Sequence, residues 1–511
     1  MSDWTGGYVA DIGYTFGYYT ELNPLRVNLA FLNARLVVPT VGSACELGFG
    51  QGVSANIHAA ASVATWHGTD FNPSQASFAQ ELATASGAGA QLFDDAFADF
   101  TRRTDLPDFD YIGIHGIWSW ISDENRAVIV EFIRRKLKVG GVLYISYNTL
   151  PGWAAFAPMR QLMTEHAEII GAEGHGIVGR INGALDFTER LLATNPTYAR
   201  ANPQVAERMK KIKEQSREYL AHEYFNRDWM PMRFSTMAEW LEPAKLSFAC
   251  SAHYLDHIDE INLTADQRAF LKGIPDTMFR ESVRDFMVNQ QFRRDYWVKG
   301  PRQMSVIEQA DSLRAERVVL VTPRASVSFK FTGSLGEVSM SEAVYGPILD
   351  ALADHKIRSI ADIEAAVKDS DASFAQIVQA VILLVGVGHL AAVQEEALSV
   401  KAAERTRRLN THLLRKALAS PDIAYLASSV TGGGVPLGRF QQLFLLALRN
   451  GQHQPAEMAE MVWQALARQG QKLVKEGATL ETPEQNLAEL TRQAQEFCDT
   501  RLPILKALQV A

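Results

Sequence analysis

The chain has 511 residues, 47% of them apolar, which is more than one hydrophobic core usually holds and predicts two to four domains. Fifty basic against 58 acidic residues give a formal charge of -8, which argues against broad binding to nucleic acid or anionic membrane by the whole surface. The three cysteines, Cys45, Cys250 and Cys498, are too scattered for a disulfide scaffold or a structural zinc site, and a reducing cytoplasm is the expected location. The start, Met1 to Gly6, has neither the basic region nor the apolar run of a secretory signal, and no later stretch is long enough to span a bilayer.

Ala44 to Gly48 reads as a short strand, followed by the loop Gly48-Phe49-Gly50-Gln51-Gly52 and a helix over Ser54 to Ala64. Ala64 to Asp70 reads as a second strand ending in an acid, and Ser74 to Ala85 as a helix. Ala90 to Phe93 and Phe109 to Ile114 are two further strands, Asn125 to Leu137 a helix and Val142 to Tyr147 a fifth strand. This alternation predicts a largely parallel sheet covered by helices. From Phe156 to about Met230 the pattern is helical, with a break at Gly171 to Gly176. The charged run Glu207 to Glu218 is of mixed sign and reads as a solvated helix. Leu246 to Ala252 and Arg294 to Val298 are strand candidates, with helical material over Leu263 to Asn289, so the first fold is expected to resume after a helical insertion.

Beyond Gln303 another body begins. Val318 to Thr322 and Ser326 to Thr332 read as strands, Ser341 to Leu352 and Ile377 to Leu384 as helices, and Val430 to Pro436 as a flexible turn before the helix Gln441 to Leu448. Ala456 to Ala467 and Leu487 to Phe497 are further amphipathic segments. The expected divisions are 1–170 and 241–302 for the two parts of a cofactor-binding core, 171–240 for the insertion, 303–400 for a middle or regulatory domain and 401–511 for a helix-rich C-terminal domain.

Glycines 48, 50 and 52 let the turn approach a ligand closely before the helix begins. Asp70, eighteen residues beyond Gly52 at a second strand end, suits both hydroxyls of a ribose, or is a solvated turn aspartate. The spacing lacks the final two-residue gap of the dinucleotide fingerprint, which weakens a pyrophosphate reading. Glu46 suits the charged amino-acid end of a sulfonium cofactor, or is a structural strand-end carboxylate. Asp95 is a candidate acceptor for an adenine amino group.

Glu46 to Gly52 with Thr69-Asp70-Phe71-Asn72-Pro73 resembles the class I S-adenosylmethionine-dependent methyltransferases. Phe109 to Trp120, Gly140-Gly141, Ser146 to Trp153, Tyr219 to Asn226, Ser420-Pro421, Val430 to Gly434 and Phe440 to Leu443 resemble a narrower bacterial family. That family carries a methyltransferase regulatory domain and is related to bacterial protein-lysine methyltransferases. The resemblance, with the element alternation, implies a Rossmann-like seven-stranded sheet with a helical insertion; the helix-rich segment with short strands after Gln303 suggests a mixed C-terminal region containing a winged-helix-like module. The resemblance also implies S-adenosylmethionine as cofactor, S-adenosylhomocysteine as product and a protein substrate; methyl transfer from a sulfonium needs no metal, and a homo-oligomer is expected on general grounds. Glu46 and the glycine loop would hold the methionine portion, Asp70 the ribose and Asp95 the adenine, with His115 closing one side.

Tyr14, Tyr18 and Tyr19 are candidates to cover that pocket, Tyr18 as the contact, although an aromatic cluster is commonly core. Candidate acceptor-side residues are Tyr147, Glu223 and Tyr224 for catalysis and Trp118, Trp120, Asn148, Trp153 and His222 for substrate, with core packing the competing reading for the tryptophans. Lysine methylation is the leading expectation. A small-molecule or glycan-associated methyltransferase and a noncatalytic, cofactor-responsive assembly protein are the alternatives.

Overall fold

The computed structural model describes residue 8 and residues 12–511 apart from 172 and 371; the expectations for residues 1–6 and 172 lie outside these. Seven strands form the principal sheet: β1 (Ser43–Leu47), β2 (Thr65–Thr69), β3 (Gln91–Phe93), β4 (Phe109–Ile114), β5 (Leu137–Asn148), β6 (Ser247–Ser251) and β7 (Phe292–Val298). Their order is β3-β2-β1-β4-β5-β7-β6. The first five run parallel, and β7 lies antiparallel between β5 and β6. Every residue of β1 is buried, as a central parallel strand covered on both faces requires. The chain returns to this sheet after the helical insertion, as its sequence pattern predicts.

The loop after β1 sets the geometry of the site. Gly48 has φ 70° and a Cβ there would stand 1.6 Å from the Ile117 side chain. Gly52 has φ 66° and a Cβ would meet that of Ala79 at 2.5 Å. Only glycine meets both demands, the left-handed turn and the close approach of neighbouring elements. The helix Val53–Ala61 that follows is buried along its whole length. After β2, Asn72 caps the helix Pro73–Ser86, its side chain accepting from Ser74 N and Gln75 N, with proline in the first turn.

Among the described residues, six α-helices lie between β5 and β6, from Ala157–Ile169 to Phe234–Leu241. Much of this insertion packs on its own core, which includes Trp153, Phe156, Met163, Leu185, Met209, Leu220 and Tyr224. The charged run Glu207 to Glu218 is not one helix. It spans the end of Gln204–Lys213, which buries Met209 and Ile212, and the start of Arg217–Tyr224.

The C-terminal part contains a three-stranded antiparallel sheet, β8 (Arg317–Leu320) between β11 (Arg358–Ser359) and β12 (Leu390–Ala392), and a hairpin of β9 (Lys330–Gly333) and β10 (Gly336–Ser339). The strand expected from Ser326 begins four residues later, because Arg324–Ser326 forms a single 3-10 turn. Val430 to Pro436 departs further from expectation. Val430 to Gly432 do form a turn, but Gly433 to Pro436 are the second strand of a hairpin, β13 (Tyr425–Ser428) with β14 (Gly433–Pro436), and the segment is buried apart from Pro436 and the partly exposed Gly434. The long helix Glu396–Lys416 packs against Val53–Ala61 and Pro73–Ser86, joining this part to the face of the principal sheet's first half.

Candidate functional site

A cleft opens beyond the carboxyl ends of β1, β2 and β4, where ligands enter open parallel sheets. Glu46, Gly48, Gly50, Asp70, Asp95, His115 and Trp120, all singled out from the sequence, line it. The backbone N–H of Gly50 donates to Asp70 Oδ2 at 2.9 Å and that of Asn72 to Oδ1 at 3.0 Å. These bonds pin the glycine loop to the end of β2. Each carboxylate oxygen retains acceptor capacity. Burial nevertheless outweighs both bonds and pushes the Asp70 carboxyl up to about 6. Glu46 is 3% exposed, its Oε2 has no hydrogen-bond partner, and burial followed by repulsion from Asp70 pushes it up to about 8.

His115 sits just beyond β4, with Nδ1 2.7 Å from the Tyr144 hydroxyl. Burial lowers its pKa to about 4, so the ring is neutral at physiological pH. The Tyr19 ring stacks on it with centroids 3.9 Å apart. Asp95 Oδ2 accepts from Arg103 Nη1 at 3.0 Å, and its carbonyl accepts from the Thr69 hydroxyl.

Aromatic residues cover the cleft. Tyr8, Tyr14 and Tyr19 line it, and the Tyr8 and Tyr14 rings pack against His222 at 5.4 and 5.0 Å. His222 thus backs this wall, with Nε2 3.1 Å from the carbonyl of Ile12. Glu223 follows on the same helix. Burial pushes its carboxyl up to about 7; burial likewise raises the phenol pKa values of Tyr8, Tyr14 and Tyr19, with a smaller contribution from the Glu223 charge, so they stay protonated. Trp120 Nε1 donates to the Glu223 carbonyl at 3.2 Å, tying the insertion to the loop after β4.

The geometry sets other expected contacts elsewhere. Tyr18 does not face the cleft: its hydroxyl meets Gly434 N and His58 on the opposite side, and Tyr14 and Tyr19 take the place expected for it. Tyr147 is fully buried, its hydroxyl donating to Asp295 at 2.9 Å beneath the cleft, which corrects its placement at an acceptor. Tyr224 and Trp153 belong to the core of the insertion, with ring centroids 6.0 Å apart. Trp118 is fully buried, Nε1 donating to the Met232 sulfur, so the core-packing reading holds for both tryptophans. Asn148 is buried at the end of β5, its N–H donating to the Ser119 hydroxyl. Gly52 does not line the cleft and acts as the packing point against Ala79. Residues of the lining that sequence reasoning missed include Tyr8, Phe71, Gln75, Phe97, Asn125 and Asp228. Of these, only Phe71 fell within a segment marked by motif.

Residues 216–299 match a family described as a predicted methyltransferase regulatory domain. The chain is 40% identical to the uncharacterized protein sll1526 of Synechocystis sp. (strain ATCC 27184 / PCC 6803 / Kazusa), over 99% of this chain and 100% of that one. Its fold is similar to that of PKMT2 from Rickettsia typhi in complex with AdoHcy, with a TM-score of 0.70 and 17% identity over 98% of this chain and 100% of the other. A second structure of PKMT2 from Rickettsia typhi gives 0.68 and 16% over the same shares. The strand order, the glycine loop and these likenesses agree: the chain belongs to one family with sll1526, has the class I S-adenosylmethionine-dependent methyltransferase fold and carries a segment that matches a predicted methyltransferase regulatory domain.

Proposed function

We propose that this chain transfers the methyl group of S-adenosylmethionine to the side-chain amine of lysine in a protein substrate. The observation that carries the reading is the charge of the cleft. Among the described residues, Glu46, Asp70, Asp95 and Asp228 line it and no lysine or arginine does. Asp95 and Asp228 each meet an arginine just outside the lining, whereas Asp70, and Glu46 once a positive group draws off its proton, have no cation beside them among the described residues, so the site favours positive groups over phosphate. The sulfonium and ammonium groups of the cofactor and the amine of lysine suit it, whereas nucleotide or RNA acceptors do not. The AdoHcy bound by PKMT2 supports the cofactor half, and the motif resemblance of residues 109–120, 146–153 and 219–226 supports the lysine half.

The residues fit the cofactor. The partnerless Glu46 Oε2 suits its ammonium, Asp70 has acceptor capacity for ribose hydroxyls, and Asp95, in the lining, suits the adenine amino group. When bound, S-adenosylmethionine supplies a methyl group already activated on sulfur. The chain must hold the amine in line, exclude water and take the proton of the lysine ammonium. Glu223, pushed to about 7, is matched to that proton, and the protonated tyrosines around it offer oxygen acceptors to an amine. Three scattered free cysteines suit a cytoplasmic setting, and a homo-oligomer completes the reading, to be tested by light scattering. Among the described residues no helix is long and apolar enough to cross a membrane.

The experiment offers isotopically labelled cofactor together with intact proteins, denatured proteins, metabolites and nucleic acids, and locates each added methyl by fragmentation mass spectrometry. Lysine labelling that vanishes in Asp70→Ala is the expected result. Exclusive labelling of RNA, a glycan or a metabolite overturns the acceptor. Tight cofactor binding without any transfer replaces the enzyme reading with cofactor-responsive assembly.

A further inference from the structure

Tyr14 and Tyr19 face the cleft while Tyr18, between them in sequence, faces away. In extended chain successive side chains alternate sides, so whatever seats Tyr18 also fixes the face presented by Tyr19. Its seat belongs to the C-terminal part. The Tyr18 oxygen accepts from Gly434 N at 2.7 Å and stands 3.1 Å from His58 Nε2, on the helix that follows the glycine loop. Burial lowers the His58 pKa to about 3, leaving a neutral ring able to accept the tyrosine proton at Nε2. The Tyr18 ring packs against Tyr425 at 4.9 Å, and its neighbour Tyr19 donates its N–H to the Ser54 hydroxyl at 2.9 Å. Five residues on, Asn23 Nδ2 donates to the Thr431 carbonyl at 3.1 Å.

The hairpin has no room for side chains at this contact. A Cβ on Gly433 would stand 2.6 Å from the Tyr18 hydroxyl and 2.7 Å from Asn23 Nδ2, and one on Gly434 would meet the Tyr18 ring at 2.8 Å. The glycine run that reads as a flexible turn is therefore a fitted surface. The hairpin is itself anchored: Asn410 exchanges two hydrogen bonds with Ala427, and Gln394 donates to the carbonyls of Ala61 and Ser429.

We propose that the Val430–Val435 segment is a clasp that seats Tyr18 and Asn23 and so holds the Tyr14–Tyr19 cover over the cofactor, making Tyr18 a positioning residue for cofactor retention. The proposal rests on the cofactor reading above and adds to it a route by which the C-terminal part controls release. Tyr14 lies over the glycine loop, its ring 3.3 Å from where a Gly50 Cβ would be, and Tyr19 is stacked on His115. Loosening their shared segment removes contacts from the bound ligand without altering Glu46 or Asp70.

The test compares Tyr18→Phe, which keeps the ring and loses the hydroxyl bonds, with Gly434→Ala, which displaces the ring, in the full-length chain. S-adenosylhomocysteine dissociation is followed by stopped flow, and hydrogen exchange of residues 13–23 by mass spectrometry in the ligand-free chain. Tyr18→Phe should raise the dissociation rate roughly five- to tenfold, the worth of a lost hydrogen bond or two, and Gly434→Ala should raise it more. Exchange should quicken in residues 13–23 of both variants and stay unchanged in β1 and β4. A rise in dissociation together with quickened exchange across the whole sheet would mean general unfolding and overturn the clasp. Wild-type dissociation and exchange in Tyr18→Phe and Gly434→Ala would overturn it also. If the unaltered chain fails to bind S-adenosylhomocysteine, the cofactor reading falls by itself, and the exchange arm still decides whether the hairpin holds the segment.

Discussion

Two groups of acids lie toward the same edge of the sheet and are built to opposite ends. At the tips of β1 and β2, Glu46 and Asp70 are buried with no cation beside them, and both are pushed up. At the tip of β5, Arg293 Nη1 meets Asp285 at 2.6 Å, Nη2 meets Glu281 at 2.9 Å, and Nε meets Asp295 at 2.9 Å, with Tyr147 donating to Asp295 as well. The second group already contains its cation and is closed. The first lacks one and opens into a cleft. Acidic residues at strand ends thus mark a binding site only where their positive partner is missing, and the same residue types with an internal arginine hold the sheet to the helix Thr277–Met287 between β6 and β7.

The sharpest way to break that contrast is to remove the internal cation. Arg293→Met should leave Asp285, Asp295 and Glu281 crowded and uncompensated, and should cost about 3–5 kcal/mol of stability, the usual penalty for orphaning buried charge. Chemical denaturation of the ligand-free chain measures it, and a loss under about 1 kcal/mol would show that the two groups do not differ as described. Asp70→Asn should act in reverse. Its stability cost is expected to stay below about 2 kcal/mol, while affinity for S-adenosylmethionine falls roughly ten- to a hundredfold as a ribose acceptor is lost, read by calorimetry.

The pH dependence of cofactor binding tests the open group next, since in the closed group burial likewise pushes Asp285 up to about 7 and Asp295 upward despite Arg293. Glu46 and Asp70 have folded-state pKa values, about 8 and about 6, above those of ordinary carboxylates. The folded ligand-free chain therefore binds more protons than the unfolded one between about pH 4 and 8, and these two groups contribute stability at low pH that is lost as pH rises through that window. Cofactor affinity should run the other way, improving on the order of tenfold from pH 6 to 8 as the carboxylates ionise. Binding should release protons, visible as a buffer dependence of the calorimetric heat. Glu46→Gln should flatten both profiles, and an unchanged affinity profile in that variant would remove Glu46 from the ammonium role.

Much of the open group was legible in the sequence because its logic is local. A strand, a glycine-spaced turn and an acid at the next strand end are each contained within a few residues, and Glu46, Gly48, Gly50, Asp70 and His115 all reach the cleft. The closed group was not legible, since Tyr147 meets a partner 148 positions away and nothing near Tyr147 announces Arg293. The leading segment failed by one residue for the same reason. Nothing within Tyr14 to Asn23 says which of Tyr18 and Tyr19 faces the cofactor, because the choice is made by Gly434, 416 positions on. The glycine run at 432–434 was misread in turn: glycine signals both freedom and close fit, and only the tyrosine placed against it shows which applies.

A third arrangement lies between the two and should show the smallest effect. Asp95 lines the cleft but shares Arg103 with Asp105, which takes the guanidinium in two bonds at 3.0 and 2.7 Å, while the Arg103 side chain also stacks over Phe93 at 3.8 Å. The Arg103 and Asp95 side chains are about a quarter exposed and that of Asp105 is 62% exposed, so water screens the charges in a way it does not around Arg293. Removing the cation here frees Asp95 to solvent and leaves no buried charge unpaired. Arg103→Ala should therefore change stability by no more than about 1 kcal/mol, part of it lost stacking on Phe93. With Asp95 released from its single bond, the cofactor Kd should shift by less than about threefold, a change of well under 1 kcal/mol. A loss of several kcal/mol in either measurement would show that Arg103 completes a closed cluster like that of Arg293, and would set Asp95 with the closed group.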